Sequence, residues 1–139
     1  MAAALVDAGV LVGWLDARDP RHAESVGALR EIAGKLWTTW PAATEAAHFL
    51  WREHPAGRDA LLKMIEDGAL GLARLDAEDA PRLRQLITKY ADLPMDLADA
   101  TLVRIAEREG IDTVLTFDRR DFKVYRAAGL GALKILPKP

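Results

Sequence analysis

The 139-residue chain has no cysteine, which excludes disulfide frameworks and thiolate metal sites. It has three histidines, His22, His48 and His54, so a histidine-rich zinc site is poorly supplied. A metal site must then be built from oxygen donors, and that favours Mg²⁺ or Mn²⁺. No stretch approaches the roughly 20 apolar residues that a membrane helix needs. The opening run Met1 to Val6 is apolar, but it lacks the basic start and small-residue cleavage pattern of a signal peptide. A cytoplasmic protein with no membrane association is the expectation. Charge of one sign is lacking too: the net charge of −2 gives no global attraction to nucleic acid, so any attraction must be local.

What is present is the mix of a soluble globular protein, half hydrophobic and 29% charged, and long enough for one domain over 1–139. Ala3 to Val6 reads as a buried strand ending at Asp7. A short helix carries Leu11, Trp14 and Leu15 and is broken between Asp16 and Pro20. A second helix is expected from Arg21 to Gly34, and a second strand from Leu36 to Trp40. Pro41 suits the first turn of a helix that carries Glu45 and Phe49 and ends near His54. Further helices are expected over Arg58 to Glu66, over Ala77 to Tyr90 behind an Asp76 cap, and from an Asp96 cap to Gly110. Strands are expected at Ala69 to Leu75, Thr113 to Phe117 and Leu133 to Leu136. Alternating strands and helices imply an α/β fold with a mostly parallel sheet of four to five strands and helices on both faces.

In such a sheet ligands bind beyond the carboxyl ends of the strands. Asp7 directly follows the first strand, and Asp118 follows the strand after the last long helix. Glu45 and Asp99 sit in early turns of helices that point at the same end. Four segments thus aim one carboxylate each at one crevice, where their mutual repulsion calls for a cation. Mg²⁺ would relieve it and serve an in-line attack on a phosphodiester. Taken singly, each has a plainer reading: Asp7 ends a strand, Glu45 is a solvated helix residue, Asp99 imitates a capping-box Glu, and Asp118 or Asp121 forms a turn.

The residues Val6-Asp7 with Val10-Leu11-Val12, Thr44-Glu45, Leu97-Ala98-Asp99-Ala100 and Leu115-Thr116-Phe117-Asp118-Arg119-Arg120-Asp121-Phe122 resemble the PIN domain family, the ribonuclease fold of VapC-type toxins. The resemblance implies a three-layer α/β/α fold. It also implies Asp7, Glu45, Asp99 and Asp118 as the catalytic, metal-binding set. Asp96 and Asp121 would be outer contributors, and Thr116 the hydroxyl that orients ligands near Asp118. Family members usually place a hydroxyl residue just after the first Asp, whereas Ala8 and Gly9 stand here. The resemblance further implies an RNA substrate cut endonucleolytically, an antitoxin partner that covers the site, and a homodimer.

Arg119 and Arg120 are positioned to meet RNA phosphates, or else to face solvent and pair with Asp121. Arg104 and Arg108 share a helix face and are expected to pair with Glu107 or Asp112. Trp14, Trp37, Trp40 and Trp51 are expected in the core or at a dimer interface. A receiver-like or phosphatase domain would also cluster Asp residues around Mg²⁺, but it needs a lysine after a late strand, and Thr113 to Phe122 contains none. The non-enzyme alternative is a PIN-like RNA-binding or assembly module without catalytic activity.

Overall fold

The computed structural model describes residues 3–139; the first part of the apolar opening, 1–2, lies outside it. Five three-residue strands form the central sheet: β1 (Ala4–Val6), β2 (Leu36–Thr38), β3 (Leu70–Leu72), β4 (Thr113–Leu115) and β7 (Lys134–Leu136). Their order is β3-β2-β1-β4-β7, and every pairing is parallel. A small antiparallel ribbon joins β5 (Arg126–Ala127) to β6 (Gly131–Ala132). The helices are α1 (Ala8–Leu15), α2 (His22–Arg30), α3 (Trp40–Glu53), α4 (Pro55–Asp67), α5 (Ala80–Lys89), α6 (Leu97–Glu109) and α7 (Arg119–Phe122).

Successive strand residues point to opposite faces, and here both faces are covered. Ala4 and Val6 of β1 and Leu115 of β4 pack with Val10, Leu11, Leu29 and Leu61 from α1, α2 and α4. Leu5 and Val114 pack on the other side with Leu86, Leu102 and Ile105 from α5 and α6. The result is a three-layer α/β/α arrangement with strands buried on both faces, as parallel sheets require. No helix among the described residues is long and apolar enough to cross a membrane.

Boundaries differ from the sequence expectations where capping intervenes. The second strand stops at Thr38, because extended Thr39 turns its hydroxyl toward the Ala42 amide and starts α3 at Trp40. With β2 that short, β3 pairs over three residues rather than the expected Ala69 to Leu75. The helix expected from Ala77 begins as a 3₁₀ turn at Ala77–Asp79. Asp76 and Asp79 form a reciprocal capping box there, and Pro81 lacks the amide that a continuous α-helix would use. The second helix is shorter than expected, since Glu31 and Ile32 close it with tight bonds to Ala28 and Leu29. Neither α7 nor the β5–β6 ribbon is anticipated from pattern, each being too short to show a period.

Gly71 in β3 lies under the Trp37 ring: a Cβ built there would stand 2.5 Å from a ring carbon. We expect Gly71→Ala to lower unfolding free energy by about 1–3 kcal/mol, the usual cost of overpacking, and Trp37→Leu in the same chain to recover part of it. Urea unfolding measures both, and an unchanged midpoint for Gly71→Ala would show that the contact is slack.

Candidate active site

The parallel ladder brings the carboxyl ends of β1 and β4 side by side, with Val6 opposite Leu115 and the Asp7 amide donating to the Leu115 carbonyl at 2.9 Å. Asp7 is therefore fixed by the sheet. It also caps α1, accepting from the Ala8 amide at 2.8 Å through Oδ1. Its other oxygen, Oδ2, accepts from the Thr116 hydroxyl at 2.7 Å. That hydroxyl in turn accepts from the Asp118 amide at 3.0 Å. One buried threonine thus ties together the two strand ends that carry the acids.

Asp99 lies in the first turn of α6, buried, with its amide donating to the Asp96 cap at 2.8 Å. Its carboxylate does not close a capping box. Instead Oδ2 accepts from the Tyr125 hydroxyl at 2.8 Å. Tyr125 is fully buried and held edge-on against Tyr90 and Phe122, each ring centroid 5.0 Å away. Asp118 and Asp121 flank the start of α7. Carboxylate oxygens of Asp99, Asp118 and Asp121 all lie within 4.8 Å of one another.

Electrostatics extend this group. Burial, and then the charges of Asp7, Asp96 and Asp118, push the half-buried Glu45 carboxyl up. Burial also raises Asp7, against the Thr116 and Ala8 hydrogen bonds, with Asp96 and Asp118 adding to the rise. Asp118 is raised by burial and by the neighbouring Asp121. Asp99 is pushed up to about 8 by burial and the charge of Asp7. The raised group therefore comprises Asp7, Glu45, Asp99 and Asp118, with Asp96 at its edge as a helix cap and Asp121 drawn in by α7. Such a cluster of acceptors fits a hard divalent cation, which takes oxygen ligands and makes ionisation of all of them favourable.

The other candidates fall elsewhere. Arg119 is engaged structurally, donating to the Pro137 carbonyl at 2.8 Å and reaching Glu24 at 3.5 Å. Arg120 is exposed, with no ion pair among the described residues. Arg104 reaches Glu107 at 3.8 Å as expected, but Arg104 and Arg108 also converge on buried Asp79 at 2.8 and 3.0 Å, a partner not anticipated from sequence, and Asp112 faces Lys134. His22 contacts the Gly13 carbonyl at 2.7 Å, and His48 lies edge-on to Phe49. Trp14 and Trp37 pack against the two cores. Trp40 and Trp51 are not core residues: they are 51% and 53% exposed, because Ala42, Ala43, Ala46 and Leu50 form the buried side of α3.

The PIN domain profile matches residues 4–128, most of the chain. The chain belongs to the PIN domain family. Ribonuclease VapC26 of Mycobacterium tuberculosis (strain ATCC 25618 / H37Rv) is 28% identical over 134 residues, which cover 96% of this chain and 99% of that protein. The crystal structure of the M. tuberculosis toxin VapC20, described as cleaving the sarcin-ricin loop, superposes with a TM-score of 0.78 at 16% identity, over 94% of this chain and 98% of that one. VapBC2 from Rickettsia felis, solved with a DNA fragment from its promoter, gives a TM-score of 0.65 at 11% identity, over 99% of each chain. These two structures support the fold of this PIN domain.

The raised carboxyls make stability of the metal-free protein fall with pH. A group whose folded pKa lies above its unfolded value stabilises the fold at low pH, and that contribution disappears as pH rises through the folded pKa. For Asp99 the window runs from its ordinary value of 3.8 to about 8. In EDTA the Tm should decline from pH 5 to about pH 8, and Asp99→Asn, which keeps an oxygen for Tyr125, should flatten the decline. A Tm that climbs across this window contradicts the assignment. Thr116→Val removes both of its side-chain hydrogen bonds from a buried position and should cost about 1–3 kcal/mol in urea unfolding.

Proposed function

We propose that the chain is a divalent-metal-dependent endoribonuclease that hydrolyses RNA phosphodiester bonds and serves as the toxin of a type II toxin–antitoxin pair. The observation that carries this reading is the convergence of carboxylates from separate segments, crowded enough to favour protonation and, among the described residues, without an arginine or lysine partner. Elsewhere in the same protein buried acids are paired with arginines, as at Asp79. Membership of the PIN family and the ribonuclease relative VapC26 support the same reaction class.

Asp7, Glu45, Asp99 and Asp118 would hold Mg²⁺ or Mn²⁺, with Asp121 beside Asp99 and Asp118 and with Asp96 acting through its cap on α6. When bound, the ion supplies positive charge that stabilises a phosphoryl transition state and makes water more acidic. The protein's own part is positioning. Thr116 fixes the Asp7 carboxylate and the Asp118 backbone, and Tyr125 fixes Asp99. Glu45, half-buried and within electrostatic reach of Asp7, Asp96 and Asp118, brings its carboxylate to the same site from α3. Arg120 is free to meet a phosphate at the mouth of the site, whereas Arg119 first has to leave Pro137.

An antitoxin partner follows from the toxin reading and is supported by the VapBC2 likeness. A homodimer is supported by exposed apolar side chains: Trp40 and Trp51 lie on one side of α3, and Leu97, also exposed, shares a cavity with Trp40. One domain and a cytoplasmic location complete the proposal.

Purified protein should cut single-stranded RNA with Mg²⁺ or Mn²⁺ and stop in EDTA. Asp7→Asn should abolish cleavage, and Thr116→Val should lower it about 10–100-fold, as expected when support of a metal ligand is lost. Equal cleavage by wild type and Asp7→Asn would sink the reading. A wild type that shows no Mn²⁺ binding by calorimetry would point instead to an inactive RNA-binding or assembly module.

A further inference from the structure

A groove of about 390 Å³ is lined in part by Gly9, Val12, Phe49 and Phe117, neighbours in sequence of residues of the acidic cluster. Phe117 immediately precedes Asp118, and Gly9 stands two residues after Asp7. Phe49 is 57% exposed although it is a large apolar ring. The Arg21 guanidinium, which also lines the groove, lies 4.5 Å from the centroid of the Phe117 ring. Among the described residues that side chain has no carboxylate partner; only its backbone amide bonds Asp19, at 2.8 Å.

Carboxylates complete the lining. Asp16 is paired with Arg18 at 3.2 Å, but Asp19 and Glu53 have no ion pair among the described residues. Ionised carboxylates accept hydrogen bonds and cannot donate them. They repel a phosphate backbone, yet they suit the amino-bearing edge of a nucleobase. Single-stranded RNA is commonly held by bases splayed out onto aromatic rings or arginine planes and bonded along their edges. Both kinds of platform occur here, beside carboxylates that can bond a base edge.

We propose that this groove is a nucleobase subsite. It takes one unstacked base of single-stranded RNA, adjacent to the phosphate at the acidic cluster, against Phe49, Phe117 and the Arg21 guanidinium. Asp19 and Glu53 favour a base that presents an exocyclic amino group. The role assigned to the neighbouring phosphate rests on the nuclease reading; the base contact itself does not.

The test is fluorescence anisotropy with a short labelled single-stranded RNA and an abasic strand of equal length, in Ca²⁺. Wild type should bind the base-bearing strand about ten-fold more tightly, within the range for stacking one base on an aromatic ring. Phe49→Ala, which removes an exposed ring and leaves the core alone, should erase that preference without changing affinity for the abasic strand. Arg21→Gln should weaken it. Gly9→Leu should block the groove by filling it, since a Cβ there meets only ordinary contact with Phe117 at 3.6 Å. An undiminished base preference in both Phe49→Ala and Gly9→Leu overturns the subsite and leaves the groove to a basic, apolar segment of a protein partner. A wild type that keeps the base preference but cuts no RNA with Mn²⁺ supports the subsite and overturns the nuclease reading.

Discussion

Carboxylates gathered at one edge of a sheet repel each other, and the repulsion grows as water is excluded from between them. A fold that keeps them together has to resist that force with fixed geometry. Here the resistance begins at Thr116, whose buried hydroxyl donates to Asp7 and accepts from the Asp118 amide. Because the Thr116 amide is itself bonded to Leu136, the clamp is anchored in the next strand, β7. Asp7 has no freedom to swing away, since one oxygen is bound by Thr116 and the other by the amide that opens α1.

The contrast along α6 shows that the uncompensated charge is local. Toward its carboxyl end, Glu107 accepts from Arg82 at 2.6 Å and from the Ala128 amide, while Arg104 and Arg108 converge on Asp79. Burial raises the proton affinity of Glu107 and Asp79, but these hydrogen bonds and charges outweigh it and hold both carboxyls below their ordinary values. At the amino end buried Asp99 receives, among the described residues, the Tyr125 hydroxyl and no cationic partner, and burial and negative neighbours move it the other way. Two ends of one helix thus carry opposite solutions to the same problem. The arginine-clamped end fixes α6 against α5 and the 3₁₀ turn, so strain at the acidic end is borne by a helix that is held at its far end.

Much of this was legible in the sequence, for identifiable reasons. Asp7 and Asp118 were readable because one directly follows a short run of buried strand residues and the other stands just past such a run, and a parallel sheet sends such positions to one rim. Asp99 was readable from its place behind a strong Asp96 cap. Tyr125 was not, because it lies in an irregular stretch after α7 and reaches Asp99 only through the packing of Tyr90 and Phe122. Asp121 entered as an outer contributor through the family resemblance, while α7, one turn long and too short for a hydrophobic period, brings its carboxylate toward Asp99 and Asp118. Asp79 was invisible as a partner of Arg104 and Arg108 since the contact joins residues 25 and 29 positions apart. The early start of α3 depended on whether Thr39 or Trp40 ends the strand, a choice made by one hydroxyl.

The same charge balance constrains how a polyanion approaches. Net charge offers no steering, and an acidic cluster without a cation repels a phosphate backbone. Approach then depends on the cations that internal ion pairing leaves free. Arg119 is committed to Pro137 and Glu24, and Arg104 and Arg108 to Asp79, whereas Arg120 is exposed and Arg21 rests on the Phe117 ring. Arg120 stands two residues after Asp118, and Arg21 lines the groove that Phe117 also lines. With no net positive charge, electrostatics alone would supply little affinity, and on the proposed reading binding would draw on a divalent ion and on stacking against aromatic rings. On the proposed reading, Phe49 and Phe117 would then matter to recognition as much as any arginine does.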